Sequence, residues 1–144
     1  MLAVQEAGSI GAIGADRDRS LHVLIVEDDT ADAHLIELAL EEIPKIGFVE
    51  IARDGVEALA YLDAGFVPPD LAIVDLNLPR LDGFGLLTEI GERYDCKFPI
   101  LVLTSSAASE DIARSVSRGA RHVISKPRTL EELESVLRTA IATL

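Results

Sequence analysis

The chain has 144 residues, carries 13 Lys and Arg against 25 Asp and Glu, and is 49% apolar. That length gives one domain with a short remainder, and that apolar content excludes disorder along the whole chain. A net charge of −12 argues against nucleic acid and against an anionic membrane surface, because phosphate binding needs a basic footprint.

Residues 1–19 (MLAVQEAGSIGAIGADRDR) are Gly/Ala-rich, contain Glu6 and lack the basic start of a signal peptide. They read as a flexible N-terminal tail preceding a domain over 20–144. No apolar run approaches the ~18 residues of a membrane span, so a cytoplasmic protein is expected. From Ser20 onward, short apolar runs alternate with stretches of helical period. Strand Leu21–Val26 (LHVLIV) precedes a helix over 30–43, and strand 47–52 (GFVEIA) precedes a helix over 55–64. Strand Leu71–Val74 (LAIV) precedes helix Gly83–Tyr94, and strand 99–103 (PILVL) precedes a helix over 107–118. Strand 122–124 (HVI) leads to a helix over 130–144, which opens on the capping box Thr129-x-x-Glu132. Four of the runs are almost continuously apolar, as parallel strands covered on both faces must be. The second carries Glu50, which suits an edge. Five βα units in a row predict an α/β layered sandwich, a parallel sheet with right-handed crossovers.

In open α/β sheets, ligands bind beyond the carboxyl ends of the strands. Immediately after the first run come Glu27, Asp28 and Asp29; after the third, Asp75, then Asn77 and Pro79. Thr104, Ser105 and Ser106 follow the fourth, and Lys126-Pro127 follows the fifth. Carboxylates, a hydroxyl and an ammonium therefore converge on one sheet edge. At an effective dielectric near 20, two like charges ~5 Å apart cost about 3 kcal/mol, so such a cluster must raise a pKa or recruit a cation. Oxygen ligands without His or Cys point to Mg²⁺. Asp75, on a central strand, is the natural carboxylate to carry a phosphoryl group, with Asp28 and Asp29 holding the metal. Lys126 and Thr104 suit the phosphoryl oxygens.

Each residue also has a plain structural reading when taken alone. Asp28 and Asp29 could be helix-N-terminal acids, Asp75 a turn opener, Thr104 part of a helix start, and Lys126 a solvated loop residue. Four such residues, each just past a different strand, are hard to explain that way together. His22, His34 and His122 fall on separate elements and suit surface or packing roles. Cys96, the lone cysteine, excludes a disulfide framework and an all-cysteine metal site, which fits a reducing cytosol. No redox role follows for it.

The pieces LIVEDD (24–29), ARDGVEAL (52–59), IVDLNLPRLDG (73–83), LVLTSS (101–106) and GARHVISKP (119–127) stand in this order along the chain. With them, residues 20–144 resemble the receiver domain of two-component response regulators. The resemblance implies a flavodoxin-like (βα)5 three-layer sandwich with strand order 2-1-3-4-5, an order the receiver example of that fold shares. It implies Asp75 as phosphoacceptor and Asp28 and Asp29 as the acidic pair around Mg²⁺, with Asp29 the more direct ligand. It further implies a metal-ligating backbone carbonyl at Asn77, Thr104 as switch hydroxyl, and Lys126 as its salt-bridging partner with a cis bond to Pro127. Val123 stands where the family often has an aromatic switch residue, and Ser105 where a smaller Ala or Gly is common. The forms EDDTADAHLIELAL, LNLPRLDG and LTSS are similar to small single-domain regulators associated with bacterial phytochromes.

The expected function is a stand-alone receiver, since no output domain follows within the chain. It would accept a phosphoryl group from a histidine kinase or phosphotransfer protein, such as a bacterial phytochrome. Phosphorylation would then reshape the face of the fourth helix, fifth strand and fifth helix for a partner or a second copy. A haloacid-dehalogenase-type phosphatase is the enzyme alternative. It needs an Asp-x-Asp nucleophile after the first strand, where this chain has Glu27-Asp28-Asp29-Thr30. A phosphorylation-independent docking module is the third reading, and the full acidic, Thr and Lys set argues against it. A dinucleotide-binding fold is excluded by the missing Gly-rich loop after the first strand.

Overall fold

Side chains alternate across a strand, and that alternation sorts the apolar residues of this chain onto the two faces of one sheet. The structure is a computed structural model describing residues 20–64, 67–94, 98–105 and 108–144. The expected tail over 1–19, Cys96 and Ser106 lie outside the described residues. The elements in chain order are β1 Leu21–Val26, α1 Thr30–Glu41, β2 Ile46–Ala52, α2 Gly55–Asp63 and β3 Leu71–Val74. They continue as α3 Gly83–Tyr94, β4 Ile100–Thr104, α4 Ser109–Ser117, β5 His122–Ser125 and α5 Leu130–Ala142.

The five strands pair in parallel in the order β2-β1-β3-β4-β5. Leu24, Val26, Ala72, Val74, Ile100 and Val102 face a layer containing Ala58 and Leu59 of α2 and Leu86, Leu87 and Ile90 of α3. Val23, Ile25, Leu71, Ile73, Leu101 and Leu103 face the opposite layer of α1 and α5, through Ile36, Leu40, Leu133, Leu137 and Ile141. The expected three-layer flavodoxin-like sandwich is what forms. β2 takes the edge that Glu50 marked. β5, although apolar in sequence, is not central: it closes the other edge, with its residues only partly covered.

Helix starts are written in short polar side chains. Asp29, Asp54 and Thr129 are the N-caps of α1, α2 and α5 and accept from the backbone N–H groups of Asp32, Glu57 and Glu132. These bonds satisfy donors that a helix start leaves without a partner. The α4 segment is the exception, since its N-cap is Ala108 and Ser115 is its only buried residue. It is anchored from outside instead. The Arg114 guanidinium stacks 3.9 Å over the Phe84 ring, and Arg118 Nη1 donates to the Phe84 carbonyl and to Thr88 Oγ1.

Leu137 is fully buried between α5 and the sheet. Leu137→Ala should therefore destabilise the domain by about 2–5 kcal/mol, read as a lower urea midpoint with an unchanged slope.

Candidate functional site

Two of the central carboxylates are placed by the sheet itself. Beyond the last residue of β1, Glu27 N still donates to the Ala52 carbonyl at 3.0 Å, and beyond β3, Asp75 N donates to the Val26 carbonyl at 3.0 Å. Since Val26 pairs with Val74, the ladder sets Glu27 and Asp75 side by side, 1% and 6% exposed. Asp28, at the surface, completes the group: carboxylate oxygens of Glu27, Asp28 and Asp75 lie within 4.8 Å of one another.

Asp29 is not in that group. Its Oδ1 accepts from Asp32 N at 2.9 Å as the cap of α1, and its own N–H donates to Glu27 Oε2 at 3.1 Å. The acidic pair beside Asp75 is therefore Glu27 and Asp28, one residue earlier than the sequence reading had it. The helix start at Thr30 is the signal that marks Asp29 as a cap. Asn77 is exposed, and its N–H reaches Asp75 Oδ1 at 3.4 Å. Thr104 ends β4 completely buried, and its carbonyl accepts from Lys126 N at 2.8 Å. No peptide bond among the described residues is cis. The Lys126–Pro127 bond is thus trans, against expectation; trans is the isomer an X–Pro bond favours by about 0.5–1 kcal/mol.

Lys126 is where the acids meet. Its Nζ lies 2.8 Å from Glu27 Oε1, 2.8 Å from Asp32 Oδ2 and 3.4 Å from Asp75 Oδ2. The Glu27 contact is an ion pair without the alignment of a hydrogen bond, whereas Asp32 and Asp75 both accept from Nζ. Asp32 was absent from the sequence reading of the site. Burial raises the pKa of Glu27 to about 7, helped by the Asp75 charge and opposed by Lys126 and the Asp29 N–H. For Lys126, burial opposes the charged form, but its close contacts with Asp32 and Glu27 and the negative charge of Asp75 outweigh it. Its pKa stands above the ordinary lysine value, so it is a fixed cation.

The loops around the cluster are tied together. Gly83 packs its Cα against the segment behind Asp75: a Cβ there would stand 2.5 Å from the Asp75 carbonyl and 2.6 Å from Leu76 Cα. Arg80 adopts a left-handed φ of 65°. Its guanidinium grips Asp54 Oδ2 through Nε and Nη2, each at 2.7 Å. Asp54 Oδ1 meanwhile accepts from Glu57 N at 2.7 Å. One carboxylate thus caps α2 and clamps the β3–α3 loop. Val123 is partly buried against the α2–α3 core layer. The histidines do not converge on the site: His22 pairs with Tyr61, His34 lies near Glu37 and His122 near Thr143.

Residues 23–138 match the family described as the response regulator receiver domain. The chain belongs to that family. This receiver is 36% identical over 118 residues to the probable methanogenesis regulatory protein FilR2 of Methanothrix harundinacea, covering 78% of this chain and 76% of the relative. It is 34% identical over 117 residues to the response regulator Rcp1 of Synechocystis, covering 77% and 80%. Among solved structures it resembles the phosphorylated cyanobacterial phytochrome response regulator RcpA, with TM-score 0.77 and 34% identity over 84% of this chain and 91% of that one. It also resembles the Mn²⁺-bound form of Rcp1, with TM-score 0.75 and 31% identity over 85% and 92%. The likeness to phytochrome-associated regulators read from the sequence is met by RcpA. No described helix of the receiver is long and apolar enough to cross a membrane.

The Asp54 carboxyl is held below its ordinary pKa, mainly by the Glu57 N–H and then by Arg80, against its own burial. A lowered carboxyl pKa stabilises the fold above the unfolded pKa, and that contribution is lost as pH falls through the folded value. Thermal unfolding between about pH 5 and pH 2 should show a shallower acid limb for Asp54→Asn than for the wild type. Identical limbs would contradict the clamp.

Proposed function

We propose that the receiver is a phosphoryl-accepting switch of a two-component relay, with Asp75 as acceptor. The observation that carries this reading is a buried Asp75 at the end of a central strand, 3.4 Å from a fixed lysine ammonium and beside two further carboxylates. An Asp75 oxygen attacks the phosphorus of a phosphohistidine on the donor protein. The O–P bond forms as the P–N bond breaks, and the imidazole leaves with the electron pair and takes a proton from solvent. Lys126 offsets the charge on the transferring oxygens, and Thr104 supplies a hydroxyl donor from the adjacent strand end. The receiver is itself the substrate, so it acts as a signalling domain whose only turnover is slow loss of the group.

The donor set suits a hard divalent cation, being made of carboxylate oxygens alone. Receiver domains bind Mg²⁺ at an acidic pocket, and here Glu27, Asp28, Asp75 and the Asn77 backbone would hold it. When bound, it supplies neutralising charge to the phosphoryl oxygens. Asp29 remains a cap in this reading. The working unit is residues 20–144, in the cytoplasm. The likeness to RcpA, a phytochrome response regulator, and to Rcp1 supports a phytochrome-type histidine kinase as the donor. The output is a changed α4–β5–α5 face. Exposed Ile112 and Val116 on α4, with the groove lined by Pro127, Arg128 and Val136, support a protein partner or a second copy there.

Incubation with acetyl phosphate and Mg²⁺ should label the wild type and leave Asp75→Asn unlabelled; a labelled variant would sink the acceptor assignment. Excess EDTA should abolish the transfer. Mn²⁺ titration separates the two neighbouring acids. Asp28→Ala should weaken binding about tenfold or more, while Asp29→Ala should stay within about twofold and cost about 1 kcal/mol of stability as a lost cap. The reverse pattern would return Asp29 to the metal.

A further inference from the structure

Lys126 is held by a carboxylate for which the phosphoryl chemistry has no need. Its Nζ donates to Asp32 Oδ2 at 2.8 Å, closer than to Asp75 Oδ2 at 3.4 Å. Asp32 sits in the first turn of α1, 94 residues away in sequence, with its side chain 39% exposed. Its backbone is fixed, because Asp32 N donates to the capping Asp29 Oδ1. The Asp32–Lys126 pair forms the polar wall of a small pocket whose apolar lining includes Leu35, Ile36, Leu103 and Leu133. Asp32 is therefore anchored on the helix side of the ammonium and Asp75 on the sheet side.

We propose that Asp32 is a positioning residue that competes with the group on Asp75 for Lys126 and so limits how tightly the site holds a phosphoryl anion. This rests on the phosphoacceptor reading above. An ammonium has three N–H donors, and three carboxylates, Glu27, Asp32 and Asp75, already surround this one. A phosphoryl group arriving on Asp75 brings new anionic oxygens to an ammonium that already donates to Asp32 and Asp75. Glu27 is buried beneath the site, which leaves the half-exposed Asp32 contact as the one to be loosened. Asp32 also places a negative charge on the near side of the incoming anion. Competition and repulsion act in the same direction, against anion binding.

The test is equilibrium binding of beryllofluoride in the presence of Mg²⁺, followed by amide NMR on the full chain. Asp32→Asn should bind it about fivefold tighter than the wild type, the scale of a half-exposed ion pair. Asp32→Glu, which keeps the charge, should return toward the wild-type affinity. The gain should shrink as salt is raised. Glu41→Gln removes an equal charge from the far end of the same helix and should stay within about twofold of wild type, because that charge is screened. A purely structural Asp32 would instead lower the unfolding temperature through the lost first-turn acid and leave the affinity unmoved. Unchanged or weaker binding by Asp32→Asn, or an equal gain in Glu41→Gln, overturns the inference. A wild type that binds no beryllofluoride fails the phosphoacceptor reading and this inference with it.

Discussion

Everything at the carboxyl edge of this sheet answers to one constraint, the crowding of carboxylates around a single ammonium. Glu27, Asp32 and Asp75 all lie within 3.4 Å of Lys126 Nζ, and Asp28 stands beside two of them. Fully ionised, that is a surplus of negative charge in a partly buried place, where like charges a few ångströms apart repel by several kcal/mol. Removing Lys126 would leave the buried carboxylates uncompensated, which is the costly way to break such a group. The local answer is a Glu27 with its pKa raised to about 7 and a lysine that stays charged. A site strained in this way favours a cation that redistributes the charge.

The scaffold makes that crowding tolerable by leaving its members little freedom. Parallel pairing continues one residue beyond β1 and β3, so Glu27 and Asp75 are fixed as backbone before their side chains are considered. Thr104 and Lys126 are joined through the Thr104 carbonyl, coupling the strand end that carries the hydroxyl to the loop that carries the ammonium. Gly83 lets α3 close on the back of the loop after β3, and Asp54 grips the guanidinium of Arg80, whose φ is left-handed, at the rim. In contrast, α4 is attached mainly by Ser115 and by Arg114 and Arg118 on α3. An element with so little buried surface is one that can shift at low cost.

Much of this was legible in the sequence because apolar runs and their periods are local. The five strands and five helices fall where LHVLIV, LAIV and the helical stretches put them, and Thr129 caps α5 as its spacing indicated. That Asp75, Thr104 and Lys126 stand together at one sheet edge followed from the rule that ligands gather beyond strand ends, a property of topology rather than of any one residue. The acids that stand beside Asp75, Glu27 and Asp28, lie one position earlier than the expected pair. Three consecutive acids do not announce which turns toward the sheet, and only the cap at Asp29 resolves it. Asp32 and the Asp54–Arg80 clamp were invisible for another reason: they join residues 94 and 26 positions apart, through side chains whose types are ordinary for helix starts and loops. The edge place of β5 came from the expected strand order and not from its apolar content, which reports burial rather than place in the sheet.

The proposed switch turns on which carboxylate would carry the phosphoryl group. Reductive trapping answers this directly, since borodeuteride converts an acyl phosphate to a deuterated alcohol at the residue that held it. After acetyl phosphate and Mg²⁺, peptide mass spectrometry should find that conversion at Asp75 alone. Conversion at Glu27, Asp28 or Asp29 with Asp75 intact would contradict the account.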